Sequence, residues 1–480
     1  ISPYDSTVVS HMTSNGAITF GKTNMDEFAM GSSGATSVFG ASVNPWSYSV
    51  TASENSHRCT KNADIGDNSV EHDRYSGGET LSPGGSSSGG AVATSAGLSH
   101  ASIGSDTGGS IRQPASFCGV VGMKPTYGSI SRHGLIAYAS SLDTPSVLTR
   151  SVTDAAVVFD SLSGRDEQDP SGWHRPTVEK VIPKLFEIHP DEIRSSALGS
   201  TSLYRAETIS ALVKRASLLS SLKGLRVGIP QEFHVHEIDP VIVQAWQLAI
   251  DTLEDAGAVV TDVSVPSLKI ALPCYYILAC AEASSNLSRY DGIRYGSRSS
   301  VITSSFESMK SSKSTLINTL LREISVTRSE AFGDEVIRRI LTGTYVLSQS
   351  AYHDYYMRAM SVRESITSEM IASFQHVDIV LGPTVPFLPF SLSSSMDVSR
   401  MMLNDVLTVP ANLAGIPAMS IPVGVAEKVT DRLVSGTDNS LRHYRDSSAA
   451  AGDGSVGSVR SKSIVPIGIQ LMAPTYQEYL

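Results

Sequence analysis

Between Pro83 and Ser116 the chain carries two clusters rich in glycine and serine, Gly84–Gly90 and Gly104–Ser110, on either side of a small-residue segment with helix potential. Any fold that holds this stretch must turn tightly twice around one short helix. Glycine permits positive φ and lets backbone N–H groups approach a ligand, and the clustered serines supply hydroxyls. Two such turns can converge on one point, which is the arrangement that a nucleophile with an oxyanion cradle requires. Flexible Gly/Ser linkers would have no need of Ile103, Ile111 and the run Gly119-Val120-Val121-Gly122-Met123, which reads as a buried strand just behind the second cluster.

Two other motif readings fail on their context. Neither cluster has the lysine of a phosphate-binding Gly-x-x-x-x-Gly-Lys-Ser/Thr loop. Gly85-Ser86-Ser87-Ser88-Gly89 matches Gly-x-Ser-x-Gly, but a nucleophile elbow follows a hydrophobic strand, and Asp73–Pro83 is polar and turn-rich, so Ser87 is not read as an elbow serine. The paired clusters resemble the signature of the amidase signature family, whose members use a Ser-cisSer-Lys triad. On that resemblance Ser110, which ends the second cluster, is the nucleophile. Ser86, the first serine after Gly84-Gly85, is the bridging residue, preceded by a cis peptide bond, and the backbone N–H groups of Thr107, Gly108 and Gly109 form the oxyanion hole.

The chain of 480 residues can bury a large core. A hydrophobic fraction of 41% with 18% charged residues is that of a soluble globular protein. The net charge of −10 argues against this chain alone gripping a nucleic-acid backbone. Cys59, Cys118, Cys274 and Cys280 are too few and scattered for a disulfide framework, and His57, Cys59 and His72 match no metal-ligand spacing, so no metal is expected. No apolar run approaches the length of a membrane span, so no membrane insertion is expected.

Along the chain, Asp5–Asn15 predicts a helix and Ala17-Ile18-Thr19-Phe20 a short strand. Val152–Leu162 is an amphipathic helix, Leu225–Pro230 a strand, and Pro240–Ala256 a strong helix with Val243, Trp246, Ile250 and Leu253 on one face. Strands at Ala258–Val260, Val377–Leu381, Ala418–Val423 and Val465–Leu471, and a long helix over Ala351–Phe374, complete an alternation that argues for an α/β sheet. Three serine-rich, low-complexity stretches read as insertions, at about 51–81, 165–222 and 425–464, the last of them disordered and splitting a hairpin.

Further segments sharpen the resemblance. Gly21-Lys22-Thr23-Asn24-Met25-Asp26-Glu27-Phe28-Ala29-Met30-Gly31, Glu282–Gly296 and Phe332–Ile340 are similar to those of the glutamine-dependent tRNA amidotransferase A subunits within the family. The implied fold is a single amidase signature domain over 1–480, with a central mixed sheet covered by helices on both faces. The implied reaction is hydrolysis of glutamine, with the ammonia passed on to convert Glu-tRNA(Gln) to Gln-tRNA(Gln). An arginine fork suits the substrate carboxylate and an aspartate its ammonium. By resemblance these are Arg339 and Asp405, with Tyr275 lining the pocket and Arg338 competing with Arg339 by one residue of register.

The family also implies partners: a B subunit that binds tRNA and uses ATP and magnesium, and a small third subunit. No cofactor is expected in this chain. The insertions resemble fungal mitochondrial versions, which gives a mitochondrial matrix location as an expectation. The family's triad lysine lies in a Lys-Asp-Asn segment upstream of Gly21–Gly31, and no Lys-Asp-Asn occurs in this sequence, while Lys22 is read as structural. With Ile1 at the start and the helix expected after Leu471 cut short, the expectation is an N-terminally truncated active enzyme. The alternatives are a free-standing amidase and a catalytically silent structural subunit.

Overall fold

A computed structural model describes residues 4–48, 80–172, 222–293, 296–299, 313–392, 398–434 and 457–478. In chain order the elements begin with α1 (Thr7–Ser14), α2 (Ser88–Ser95), β1 (Ala101–Asp106), α3 (Arg112–Cys118), β2 (Val121–Lys124), β3 (Thr144–Thr149) and α4 (Val152–Leu162). They continue with β4 (Arg226–Pro230), α5 (Pro240–Asp255), β5 (Val259–Val263), α6 (Ala271–Asn286), α7 (Lys313–Ala331), α8 (Asp334–Val346) and α9 (Arg358–Ser373). The last are β6 (Ile379–Pro383), α10 (Val398–Leu403), α11 (Val409–Leu413), β7 (Ala418–Val434) and β8 (Gly457–Met472).

The strands form one eight-stranded mixed sheet in the order β1-β3-β2-β7-β8-β6-β4-β5. The β4 strand runs parallel to β5 and β6, and the remaining pairs are antiparallel. Successive side chains on a strand point to opposite faces, and β3 shows the result. Val147 packs with Val121, Met123 and the α4 residues Ala155, Phe159 and Leu162. Its neighbour Leu148 packs with Ala91 of α2, with Ile111 just before α3, and with Ala115 and Cys118 of α3. Helices therefore cover both faces at this end of the sheet, as expected of the α/β fold class. Gly122, opposite Leu148, lets α3 lie close on β2, since a Cβ there would sit 2.6 Å from Ala115 Cβ.

Local chemistry explains the helix starts. Ser151 caps α4 by accepting from the Asp154 N–H, and Asp239 caps α5 at Val241 with Pro240 in the first turn. Of the predicted face of α5, Trp246 is buried and Ile250 and Leu253 pack against the core, while Val243 is exposed and Ile242 takes the buried place beside it. The expected long helix over Ala351–Phe374 opens with a π turn, Tyr352–Met357, before α9.

Other expectations change. Ala17–Phe20 is not a strand: Ile18 and Phe20 are 91% and 87% exposed, and no described strand pairs with them. The β7–β8 ladder runs on to Val434↔Gly457, so both ends of the stretch expected to be disordered, 425–464, are paired strand. Most of the other two expected insertions lies outside the described residues, as do His57, Cys59 and His72. Strands β1 and β3 were not expected; β1 runs directly into the second Gly/Ser cluster, with Asp106 opposite Thr144.

Candidate active site

The two clusters meet. The Ser87 N–H donates to the Ser110 carbonyl at 3.2 Å, so the turn before α2 is bonded to the turn before α3. The Gly85–Ser86 peptide bond is cis. The Gly85 N–H donates to Gln113 Oε1 of α3 at 2.7 Å, and the Ser86 carbonyl accepts from the Asp26 N–H at 3.1 Å. Asp26 belongs to the Gly21–Gly31 segment, which thus forms the wall behind Ser86. Its carboxylate accepts from the Gly34 and Thr36 N–H groups, and burial raises its pKa despite these bonds. A side chain at Gly85 would collide with that carboxylate. Ser86 Oγ is buried and makes no hydrogen bond among the described residues, so the hydroxyl pair of the implied relay is not joined here. Catalytic hydrogen bonds often tighten only with substrate in place.

The loop after β1 is shaped by Asp106, which is fully buried. Its carboxylate accepts from the Gly109, Ile111 and Arg112 N–H groups and from Arg112 Nε and Nη2, both at 3.0 Å. Burial alone would raise its pKa, but the Arg112 guanidinium outweighs this and holds the carboxyl below its ordinary range. Arg112 also donates to the Thr408 carbonyl, to Asn412 Oδ1 and to Gln470 Oε1, which ties the loop to α11 and β8. One expectation is corrected here. The Gly109 N–H is taken by Asp106 at 2.9 Å, so of the three proposed oxyanion donors Thr107 and Gly108 keep N–H groups without an acceptor among the described residues. Gly109 holds φ +135°, a region that favours glycine.

Beside this loop lies a buried cluster of opposite charges. Arg339 on α8 is 5% exposed; its Nη1 donates to the Tyr138 hydroxyl at 2.6 Å and its Nε to Glu335 at 2.7 Å. The guanidinium lies over the rings of Tyr138 and Tyr276, 5.5 and 5.3 Å from their centroids. Asp405 accepts from Ser32 Oγ at 3.1 Å and from the Tyr276 hydroxyl at 2.9 Å, and burial pushes its pKa up to about 7. Tyr276 therefore touches both charges. Tyr275 is buried and packs edge-on to Tyr276 and against Gly108, where a Cβ would strike its ring. Arg338 faces solvent and pairs with Glu335, so it is Arg339 that joins the cluster.

The amidase family profile matches residues 1–53, 74–194 and 200–480. The chain belongs to the amidase family. It is 41% identical over 430 residues to the A subunit of glutamyl-tRNA(Gln) amidotransferase from Ehrlichia canis, covering 89% of this chain and 72% of that protein. It is likewise 41% identical over 423 residues to the protein of the same name in Halothermothrix orenii, covering 88% and 72%. Among solved structures, the A subunit of glutamyl-tRNA(Gln) amidotransferase from Thermotoga maritima superposes with a TM-score of 0.62 at 32% identity, over 100% of this chain and 74% of that one. Peptide amidase from Stenotrophomonas maltophilia shares the fold, with a TM-score of 0.61 at 24% identity over 100% and 74%.

Sequence reasoning on this amidase missed several residues that build the site. Ser32 and Tyr276 hold Asp405, and each stands beside a residue already singled out, Gly31 and Tyr275. Tyr138 carries no local motif, and Asp143, in the family-like segment Ser140–Pro145, was given no role; the fold brings them to Arg339 and Thr107. Among the described residues no lysine hydrogen-bonds Ser86 or Ser110. Lys22 is exposed. Lys124 is buried, its pKa is pushed down to about 7 by desolvation, and its Nζ donates to the Pro125 carbonyl. No group of three or more His, Cys, Asp or Glu suited to a metal occurs among the described residues, and no described helix is long and apolar enough to cross a membrane.

Proposed function

We propose that this amidase is the glutaminase subunit of a glutamyl-tRNA(Gln) amidotransferase. The observation that carries the reading is the Arg339–Asp405 cluster, two buried opposite charges sharing Tyr276 and set beside the Gly108–Ser110 loop. A fork for a carboxylate and an acceptor for an ammonium fit an α-amino acid, and a hydrophobic amide needs neither.

Ser110 Oγ attacks the side-chain amide carbon of glutamine. Its proton passes to Ser86 and on to a base, which the family resemblance assigns to a lysine. The oxyanion is held by the Thr107 and Gly108 N–H groups. Collapse of the tetrahedral intermediate breaks the C–N bond, returns the proton through Ser86 to the departing ammonia and leaves a glutamyl ester on Ser110. Water then hydrolyses that ester to glutamate. The ammonia goes to a B-subunit partner, where ATP and magnesium activate the glutamyl group on tRNA, with a small third subunit completing the complex. A mitochondrial matrix location belongs to the same proposal, and imaging of the tagged full-length gene product tests it.

The test of function is ammonia release from glutamine by the full-length protein, alone and with the B subunit. Activity stimulated by the partner and abolished by Ser110→Ala supports the reading. Efficient hydrolysis of aryl or fatty amides with none of glutamine overturns it in favour of a free-standing amidase. Failure of a fluorophosphonate to label Ser110 overturns it in favour of a silent structural role.

A further inference from the structure

Thr107 stands opposite Asp143 where the β1–β3 ladder ends, one step beyond the Asp106↔Thr144 pair. The Asp143 carboxylate is buried and fully engaged. One oxygen accepts from the Thr107 hydroxyl at 2.7 Å, and the other accepts from the Tyr138 N–H at 2.9 Å, while the Ala139 N–H reaches both at 3.1 Å. Thr107 carries one of the two N–H groups left open to an oxyanion. Tyr138 carries the hydroxyl that receives Arg339 Nη1. A single carboxylate therefore joins the residue that stabilises the reacting carbonyl to the residue that seats the substrate-binding arginine.

The turn holding Asp143 is anchored from behind. The Ser141 N–H donates to Glu282 on α6, and Arg363 on α9 donates to Ser141 Oγ and to its carbonyl at 2.8 and 3.0 Å. Asp143 and its turn thus rest on two helices, and the Thr107 side chain rests on Asp143.

The geometry points to Asp143 as a positioning residue that fixes the Thr107 N–H relative to the Tyr138–Arg339 wall, so that a glutamine held by its α-carboxylate presents its side-chain carbonyl to the oxyanion hole. This rests on the glutaminase reading above. Asp143 touches no substrate, so its loss should act on the reacting geometry and leave binding largely intact.

The experiment compares Asp143→Asn, Thr107→Val and Thr107→Ser with wild type in the full-length protein. Three quantities are measured: glutaminase kcat and KM, thermal midpoint, and amide hydrogen exchange across Gly104–Ser110. A displaced catalytic group costs between about tenfold and 10²-fold in rate. A kcat loss of that size is expected for Asp143→Asn and Thr107→Val, with KM within about threefold. Exchange in those two variants should quicken in Gly104–Ser110 alone, and Thr107→Ser, which keeps the hydroxyl, should restore both kcat and exchange. Wild-type kcat and unchanged exchange in both impaired variants would overturn the assignment. So would a loss tracking a general fall in thermal midpoint with exchange rising throughout the protein. If wild type releases no ammonia from glutamine, the glutaminase reading fails, and the exchange comparison alone still decides the role of Asp143.

Discussion

Arg338 and Arg339 are adjacent in sequence, and the proposed site gives them opposite consequences. Arg338→Met removes an exposed pair with Glu335 three residues away. Pairs of that kind contribute about 0.2–0.5 kcal/mol, so kcat/KM should stay within about threefold of wild type. Arg339→Met removes a guanidinium that is 5% exposed and held by Tyr138 and Glu335. Deleting one side of a buried charge pair costs about 2–5 kcal/mol. At roughly 1.4 kcal/mol per decade, kcat/KM for glutamine should fall between about 30-fold and about 4,000-fold. The loss must also depend on substrate. γ-Aminobutyramide, which is glutamine without its α-carboxylate, offers Arg339 nothing to bind, so wild type and Arg339→Met should hydrolyse it at similar low rates. Glutaramic acid, which lacks the α-ammonium, should instead erase the difference between wild type and Asp405→Asn. The assay is steady-state ammonia release by the four proteins on the three amides, with thermal midpoints to confirm folding. An Arg339→Met defect equally large on glutamine and γ-aminobutyramide refutes the carboxylate assignment, as does a large defect in Arg338→Met.

Three further predictions follow from the buried charges and close approaches around the loop. Asp405 and Asp143 are both pushed up by burial to about 7, so each is increasingly protonated as pH falls below that value. As the anions are the forms that bind ammonium and hold Thr107, kcat/KM should drop by about tenfold or more per unit below pH 7, and a profile flat between about pH 5 and 8 counts against both roles. Arg112→Met strands the Asp106 carboxylate at zero exposure, which should cost about 3–5 kcal/mol in urea denaturation. The double variant with Asp106→Asn should lose about 1–3 kcal/mol less than the sum of the single changes, and strict additivity would show that the two groups are not coupled. Gly108→Ala drives a methyl into the Tyr275 ring, so kcat should fall by about 10²-fold with the protein still folded; retained activity would show that Tyr275 does not seat the oxyanion loop.

Much of the fold is legible because its signals are local. The α4 boundaries coincide with the apolar period at Val152–Leu162, β8 contains the run Val465–Leu471 read as a strand, and β4 and β6 overlap the runs Leu225–Pro230 and Val377–Leu381. What escapes is what depends on distant partners. The apolar Ile18 and Phe20 alternate as a strand would, but four residues make no strand without a partner, and none of the described strands pairs with them. β3 has the opposite history. Thr144–Thr149 contains Pro145 and two polar residues ahead of Val147-Leu148, a poor strand by composition, and it is held by β1 and β2 on its two edges and by helices on both faces. Tertiary context overrides intrinsic preference where a segment is buried on every side.

The site divides along the same line. Ser86 and Ser110 were legible because both lie in glycine-rich clusters of one short stretch, although the side chains that demand those glycines come from elsewhere in the chain: Asp26 against Gly85 and Thr408 against Gly109. Arg339 and Asp405 were legible only through resemblance, since an arginine on one helix and an aspartate on a later loop carry no joint signal. The polar side chains that hold the buried charges gave no signal of that role, Thr107 having been read only for its backbone N–H, and one physical constraint explains the whole set. A buried guanidinium and two buried carboxylates, Asp405 and Asp143, must each find several hydrogen-bond partners or lose far more free energy than the fold can supply. Those partners, Ser32, Tyr138, Tyr276 and Thr107, come from four separate segments of the chain. Placing them is a consequence of the eight-stranded sheet and the helices stacked on it, so the catalytic loop can be read one residue at a time, and the cluster that selects its substrate can be read only after the sheet is built.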